Sequence, residues 1–456
     1  MPAARLSALD ASFLQVETPS AHMHVGWAAA FRPPDDDQRP TYRQLRDHVA
    51  GRVGRARRYR QRLAGVPLGL HDPVWVDDPA FDLDNHVRRA FCRDLGALAD
   101  QVMSEPLPRD RPLWELWIAE RLEDGRVGVV GKAHHAMVDG LAALELAALL
   151  VDTVPDPPPP EHHDWRPDQP PTGVRLLADA VVDRAHDALD VVSAPVGLMR
   201  HPKRAGAVAA EGLRTVRALG DWARAAAPRT GLNPPISPAR HLARLRRPLA
   251  DLREIRRRHG ATVNDVVLAA SAGGMRQYLE LRGDFPVPLK TMIPVNVRDR
   301  RSSRGELGNR IAFVFVDLPC DEADPCRRLR DVQFQVGAHK AAGDPEGSSR
   351  LMSAIAYAPR LARSAVARLV ASPRTFNLTV SNIPGPRDTL YMLGCELEEV
   401  FPVVPIADQH ALSIGVTTIR EDAFFGIYAD SASLPDADLL AECLDEAIDE
   451  LLAAPA

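Results

Sequence analysis

Between residues 154 and 173 the chain reads VPDPPPPEHHDWRPDQPPTG, eight prolines in twenty residues. Each proline fixes its own φ, lacks an N–H donor and biases the preceding residue away from the helical region, so neither a helix nor a central strand passes through this stretch. An extended connection is expected, and it divides the chain into three parts. Residues 1–154 make a first lobe, 155–235 a proline-rich linker with connecting amphipathic helices, and 236–456 a second lobe.

On either side of the linker, short strand-like runs alternate with stretches whose apolar residues recur at helical spacing, which gives an α/β protein. The second half carries a helix around VNDVVLAASAGGMRQYL and strands in LKTMIPVNVR, RIAFVFVDL, RTFNLTVSN, LSIGVTTI and AFFGIYAD. Its last helix, DADLLAECLDEAIDELL, sets Leu440, Leu444, Ala447, Ile448 and Leu451 on one stripe and is expected to pack against a sheet. Two α/β halves joined by a long connection place a site in the cleft between them.

Charge and cysteine usage narrow the function classes. A formal net charge of -5 gives no global attraction to nucleic acid. One local exception runs from Met199 to His259, where fifteen arginines and lysines face four acids, a segment suited to phosphates or anionic lipid. The five cysteines, Cys92, Cys320, Cys326, Cys395 and Cys443, form no CxxC pair, so neither a disulfide framework nor a zinc cage is indicated and a reducing cytoplasm is expected. The start MPAARLSALDASFLQVE has no basic segment followed by an apolar core, and no run of about 18 apolar residues occurs, so any membrane contact is expected to be peripheral.

The stretch GVVGKAHHAMVDGLAALELAALL, residues 128–150, concentrates the chemistry. Val127, Val129 and Val130 after the turn-like EDG indicate a strand, on which successive side chains point to opposite faces. His135 then shares a face with Val127, Val129 and Ala133, and His134 with Val130 and Lys132, so the two imidazoles do not converge on one ligand and a metal site is disfavoured. Asp139 is placed to cap the apolar helix that follows, and Gly140 lets a substrate or another backbone come close. A histidine at a strand end beside a helix start suits a general base, while an ordinary packed histidine is the bland alternative.

HHxxxDG resembles the signature of the superfamily that includes chloramphenicol acetyltransferase, peptide-synthetase condensation domains and carnitine acyltransferases. Further stretches resemble the bifunctional wax ester synthase/diacylglycerol acyltransferase family of bacteria: LSALDASFLQVE with HMHVG, RYRQRL, WVDDPAFDLDNHV, PLPRDRPLWELWI, KAHHAMVDG, VNDVVLAA, IPVNVR, LGNRIAF and SNIPGP, in family order over nearly the whole chain. The resemblance implies a two-lobed chloramphenicol acetyltransferase-like fold with its active site in a tunnel between the lobes. It further implies transfer of a long-chain fatty acyl group from coenzyme A to diacylglycerol, making triacylglycerol, or to a long-chain alcohol, making a wax ester. His135 would be the base, His134 a support, and Asp139 a holder of the loop through a backbone contact or an arginine, with Arg298 a candidate. Gly140 would leave room for the pantetheine arm or acyl chain. Asn264 and Asp265 match another motif of the family, although a polar pair opening an apolar helix serves equally as a cap. Ser381 or Asn382, at the end of strand RTFNLTV, would offer a donor to the developing oxyanion, unless SNIPGP is simply a strand-ending turn. PLW at 112–114 reads as core packing.

No cofactor is implied, since acyl-CoA is a substrate, and no nucleic-acid partner. The expected setting is the cytoplasm, in peripheral contact with the inner membrane or lipid droplets. Alternatives on the same residues are an acyltransferase of this fold using another acceptor or a carrier-protein donor, and a non-catalytic lipid-binding relative; a metal-dependent hydrolase fits least.

Overall fold

A computed structural model of the chain describes residues 4–137, 146–147, 149–158, 165–182, 226–296, 311–342 and 360–455. Asp139, Gly140, Arg298 and all of the basic stretch before residue 226 lie outside the described residues.

The first half runs β1 (Ala4–Arg5), α1 (Ala8–Val16), β2 (His24–Arg32), α2 (Tyr42–Ala50), β3 (Gln61–Ala64), β4 (Val74–Asp77), β5 (Val87–Ala90), α3 (Leu95–Ser104), β6 (Trp114–Ala119) and β7 (Val127–His134). The second runs β8 (Arg240–Pro248), α4 (Leu249–His259), α5 (Val263–Leu281), β9 (Leu289–Asn296), β10 (Ile311–Leu318), α6 (Pro325–Ala342) and α7 (Arg360–Val370). It ends with β11 (Leu378–Ile383), β12 (Tyr391–Met392), β13 (Cys395–Val403), β14 (Leu412–Ile419), β15 (Asp422–Asp430) and α8 (Ala437–Ala453).

β2 and β7 pair antiparallel in the middle of a six-stranded sheet, with His24 opposite His134. Eight of nine residues of β2 and all eight of β7 are buried, so these strands are covered on both faces and carry mostly small or β-branched residues in place of an apolar–polar alternation. α3 covers one face: Lys132 reaches from β7 under the end of that helix and donates to the carbonyls of Val102 (2.8 Å) and Glu105 (2.9 Å). The second sheet has the order β10-β9-β11-β14-β15-β8 and is backed by α5 and α8. The Leu440, Leu444, Ala447, Ile448 and Leu451 stripe of α8 is buried, packed on α5 as well as on β8.

The lobes as units in space interleave along the chain. β13, from the second half, pairs antiparallel with β2 and extends the first sheet to the order β12-β13-β2-β7-β6-β5. It leaves that sheet across the β14–β15 hairpin, where Gly415 and Gly426 stand opposite each other. A Cβ on Gly426 would come 2.0 Å from the Pro402 carbonyl oxygen, so this crossing demands glycine by contact alone.

The described ends of the connection are docked. Arg60 stacks over the Trp165 ring, whose edge meets Phe81, and the Asp168 N–H donates to Asp77 Oδ2 at 3.0 Å. Farther on, Asn233 and Asn377 clasp each other: Asn377 Nδ2 donates to Asn233 Oδ1 (2.8 Å), and Asn233 Nδ2 to the carbonyls of Asn377 (3.2 Å) and Gln409 (2.9 Å). The described arginines of the basic segment are largely answered by acids distant in sequence. Arg246 pairs with Asp422, Arg247 with Asp445 and Asp449, and Arg253 with Glu421, which removes much of the excess that a linear count suggests.

Candidate active site

β7 ends at His134, and the chain turns at His135. The two rings lie in different surroundings, as alternation requires. His134 is 1% exposed. Its Nδ1 accepts from the Ala136 N–H at 2.9 Å, which leaves the proton of the neutral ring on Nε2. That nitrogen stands 3.7 Å from Glu17 Oε2 and 3.4 Å from Arg109 Nη2, and Glu17 and Arg109 pair with each other. Burial, with a smaller contribution from the Arg109 charge, pushes the His134 pKa well below the ordinary histidine value. His24, across the strand pair, is driven the same way by burial and by Lys132. Neither ring is poised to exchange protons near neutrality; both are packing groups that carry hydrogen bonds.

His135 faces the cleft instead. Its N–H donates to the Met23 carbonyl at 3.0 Å, and Met23 holds a left-handed backbone, φ 51°, that is costly for a side chain of this size. The imidazole stacks on Phe13 of α1, with centroids 3.8 Å apart and planes 16° from parallel. α1 starts at a Ser7 cap whose Oγ accepts from the Asp10 N–H, and it ends at Glu17, the residue beside His134. One short helix therefore steadies both histidines, one by a ring stack and the other through a carboxylate.

The cleft beside His135 holds about 1070 Å³ of empty space, part of it open to solvent. Leu9, Phe13, Val16 and Met23 line the first-lobe side, and Met292, Pro294, Phe313, Val366, Val370 and Phe376 the second. Polar groups are few among the described lining residues: Ser12, His135, Arg363 and Thr379. This is the lining a long acyl chain requires.

The other residues singled out from the sequence take different places. Asp265 is buried at the start of α5, where it closes a capping box: the Thr262 N–H donates to Asp265 Oδ2 at 2.8 Å, and the Asp265 N–H to Thr262 Oγ1 at 3.2 Å. Neither Asp265 nor Asn264 lines the cleft. Ser381 and Asn382 lie on β11 opposite Gly415 and Val416 and do not line it either, whereas Thr379, two residues earlier on the face of Ser381, does. In SNIPGP, a Cβ on Gly385 would fall 1.9 Å from the Thr418 carbonyl oxygen, and Thr417 Oγ1 donates to the Ile383 carbonyl at 2.8 Å, so the turn is locked against β14. Trp114 of PLW is wholly buried, its Nε1 donating to the Tyr59 carbonyl at 2.9 Å.

Sequence reasoning missed Phe13, Met23, Thr379 and all of α7. For α7 a signal existed: in RLARSAVARLV, Leu361, Ala365, Val366, Leu369 and Val370 recur at helical spacing.

Two α/β lobes with a histidine at their shared cleft define the chloramphenicol acetyltransferase-like class of two-lobed acyltransferase folds. Solved structures agree: a starter condensation domain of rhizomide synthetase, 14% identical, covers 100% of this chain and 96% of its own with a TM-score of 0.61, a likeness of fold alone. At family level the match is closer. The wax ester synthase/diacylglycerol acyltransferase catalytic domain matches residues 6–267, and the C-terminal domain of the same family matches residues 307–452. The chain belongs to the wax ester synthase/diacylglycerol acyltransferase family. A Mycobacterium tuberculosis protein named as a diacylglycerol O-acyltransferase is 34% identical over 98% of this chain and 96% of its own length. The wax ester synthase/diacylglycerol acyltransferase of Marinobacter aquaeolei VT8 is 27% identical, with a TM-score of 0.70 over 98% of each chain.

Proposed function

We propose that the chain is an acyl-CoA-dependent O-acyltransferase that moves a long-chain fatty acyl group to diacylglycerol, making triacylglycerol, with long-chain alcohols as a second class of acceptor. The observation that carries the chemistry is the imidazole of His135 at the wall of a mostly apolar cleft.

In this reading His135 takes the proton of the acceptor hydroxyl as that oxygen attacks the thioester carbon. The tetrahedral oxyanion collapses, the C–S bond breaks, and the proton passes from the imidazole to the departing thiolate of coenzyme A. No acyl-enzyme forms, which agrees with the lack of a GxSxG nucleophile elbow in the sequence. The step balances with two substrates and one imidazole, so no cofactor is invoked and acyl-CoA enters as a substrate. Among the described residues no cluster of histidine, cysteine, aspartate or glutamate is arranged to hold a metal ion. His134 acts by position, Asp139 by holding the loop after the histidines, and Gly140 by leaving space. Thr379, sharing a face of β11 with Ser381, is the hydroxyl this wall offers the reacting centre.

Both substrates are lipids, and among the described residues no helix is long and apolar enough to cross a membrane. We infer peripheral contact with the inner membrane or lipid droplets from the cytoplasm. The exposed side chains of Leu68 and Val174, flanking the approach of Gly173 to Pro67, support such a contact.

The test is product formation from labelled palmitoyl-CoA with dioleoylglycerol or hexadecanol. His135→Ala is expected to lose about 10²–10⁴ in kcat while remaining folded, the range a positioned general base contributes. A variant that esterifies at the wild-type rate would remove His135 from the reaction.

A further inference from the structure

We propose that Arg363 selects the acceptor: held by Asp72, its guanidinium donates to a non-reacting ester carbonyl of diacylglycerol inside the cleft. The proposal rests on the acyltransferase reading above and names the acceptor that this site is built for.

Arg363 is the one cation among the described residues that line the cleft. Its side chain is 14% exposed, and Nη2 donates to Oδ2 of Asp72 at 2.6 Å, a carboxylate only 3% exposed. The pair is thus a built feature of the wall. A guanidinium has five N–H donors in one plane, and the ion pair with Asp72 leaves Nε buried without a hydrogen-bond partner. Nε is covered by protein, so the donors that the side chain can turn to a ligand in the cleft are the Nη donors that Asp72 does not take.

The choice of acceptor follows from what each ligand brings. A hydrocarbon chain brings none. A phosphate of coenzyme A would meet a guanidinium already neutralised by Asp72, where a doubly charged group gains far less than at a lone arginine. The thioester carbonyl must lie at the reacting centre beside His135. Diacylglycerol brings two ester carbonyls that take no part in the reaction, each an uncharged acceptor compatible with a neutralised pair. A fatty alcohol brings only the hydroxyl that His135 consumes. The geometry also links the two residues: α7 packs on α1, with Ser364 Oγ donating to Gln15 Oε1 at 3.0 Å, and α1 carries the Phe13 ring stacked on His135.

The test uses the full chain with palmitoyl-CoA as donor and compares kcat/KM for dioleoylglycerol with that for hexadecanol. Arg363→Lys keeps a cation beside Asp72 but loses the planar fork, so one group can no longer hold Asp72 and face the cleft together. The ratio of kcat/KM for dioleoylglycerol to that for hexadecanol is expected to fall about tenfold, the loss of one charge-assisted hydrogen bond. A ratio that stays at the wild-type value overturns the proposal, whether both activities fall together, as they would if Arg363 served acyl-CoA, or neither changes, as for a purely structural ion pair. Should Arg363→Lys fail to fold by thermal melting, Arg363→Met with Asp72→Asn removes both charges together and is read by the same ratio. Wild-type protein that makes ester from neither acceptor overturns the acyltransferase reading as well; wild-type protein that works while the variant keeps its selectivity overturns only the role of Arg363.

Discussion

At the scale of the residue, the adjacent histidines divide into a packed one and a presented one because β7 ends between them. Alternation along a strand made that division readable in the sequence; the groups that fix each ring were not. Phe13 and Met23 precede His135 by more than a hundred positions, and nothing local marks a phenylalanine in a short amphipathic helix as the floor under an imidazole. The stack is one constraint on the plane of the His135 ring. On the proposed role of His135 as the base, Phe13→Leu, which keeps apolar volume but loses the flat contact, is expected to lower kcat about tenfold through misorientation of the imidazole. Its melting temperature should stay within a few degrees of wild type. Steady-state kinetics beside a thermal melt check this, and an unchanged kcat would mean that the ring is oriented by something else.

At the scale of the element, legibility followed local pattern. The stripe on α8 was visible because a long helix repeats its buried face several times, and the polar pair opening α5 was visible as a cap. β13 was not read as a strand. In CELEEVFPV three glutamates interrupt the apolar residues, and a register shift between Leu397 and Glu399 breaks the alternation that would have revealed a strand. Those carboxylates have partners only after folding: Glu398 meets Arg32 and Arg126, and Glu399 meets Arg126. Where β13 leaves the first sheet, it rests on Gly426 with no space for a methyl group. Gly426→Ala is expected to destabilise the fold by about 3 kcal/mol, since the Pro402 carbonyl it would strike belongs to a strand held in register by β2. Denaturant unfolding of the two proteins checks the figure, and a loss below about 0.5 kcal/mol would mean that the crossing can slide.

At the scale of the whole molecule, the lobes are fastened by polar groups whose partners come from both halves. Arg240, at the start of β8, donates to the carbonyls of Ser20, Ser237 and Ala239 and pairs with Asp430, and its backbone N–H donates to Ser104 Oγ at 2.9 Å. Beside it, His241 bridges Asp100 on α3 (2.7 Å) and Asp438 on α8 (3.1 Å). The Asp100 hydrogen bond, with both carboxylates attracting the charged ring, raises the His241 pKa to about 9. The folded state thus holds this proton more tightly than the unfolded chain. The stabilisation is complete below the ordinary histidine value of about 6.5 and is lost as pH rises through about 9. His241→Ala should therefore cost about 1 kcal/mol at pH 6, and the gap should close above pH 9, as melting at the two pH values would reveal. A gap independent of pH would assign the loss to packing.

The strand that crosses between lobes also sets an order of events during synthesis. β2 and β7 leave the ribosome early, yet the edge of β2 has no neighbour on its open side until Val403 has been made. Until then the nascent first lobe presents an unpaired, largely apolar strand edge, the kind of surface that recruits another chain. The lobe that carries the histidine pair is completed by residues made long after it, so the protein does not mature one lobe at a time.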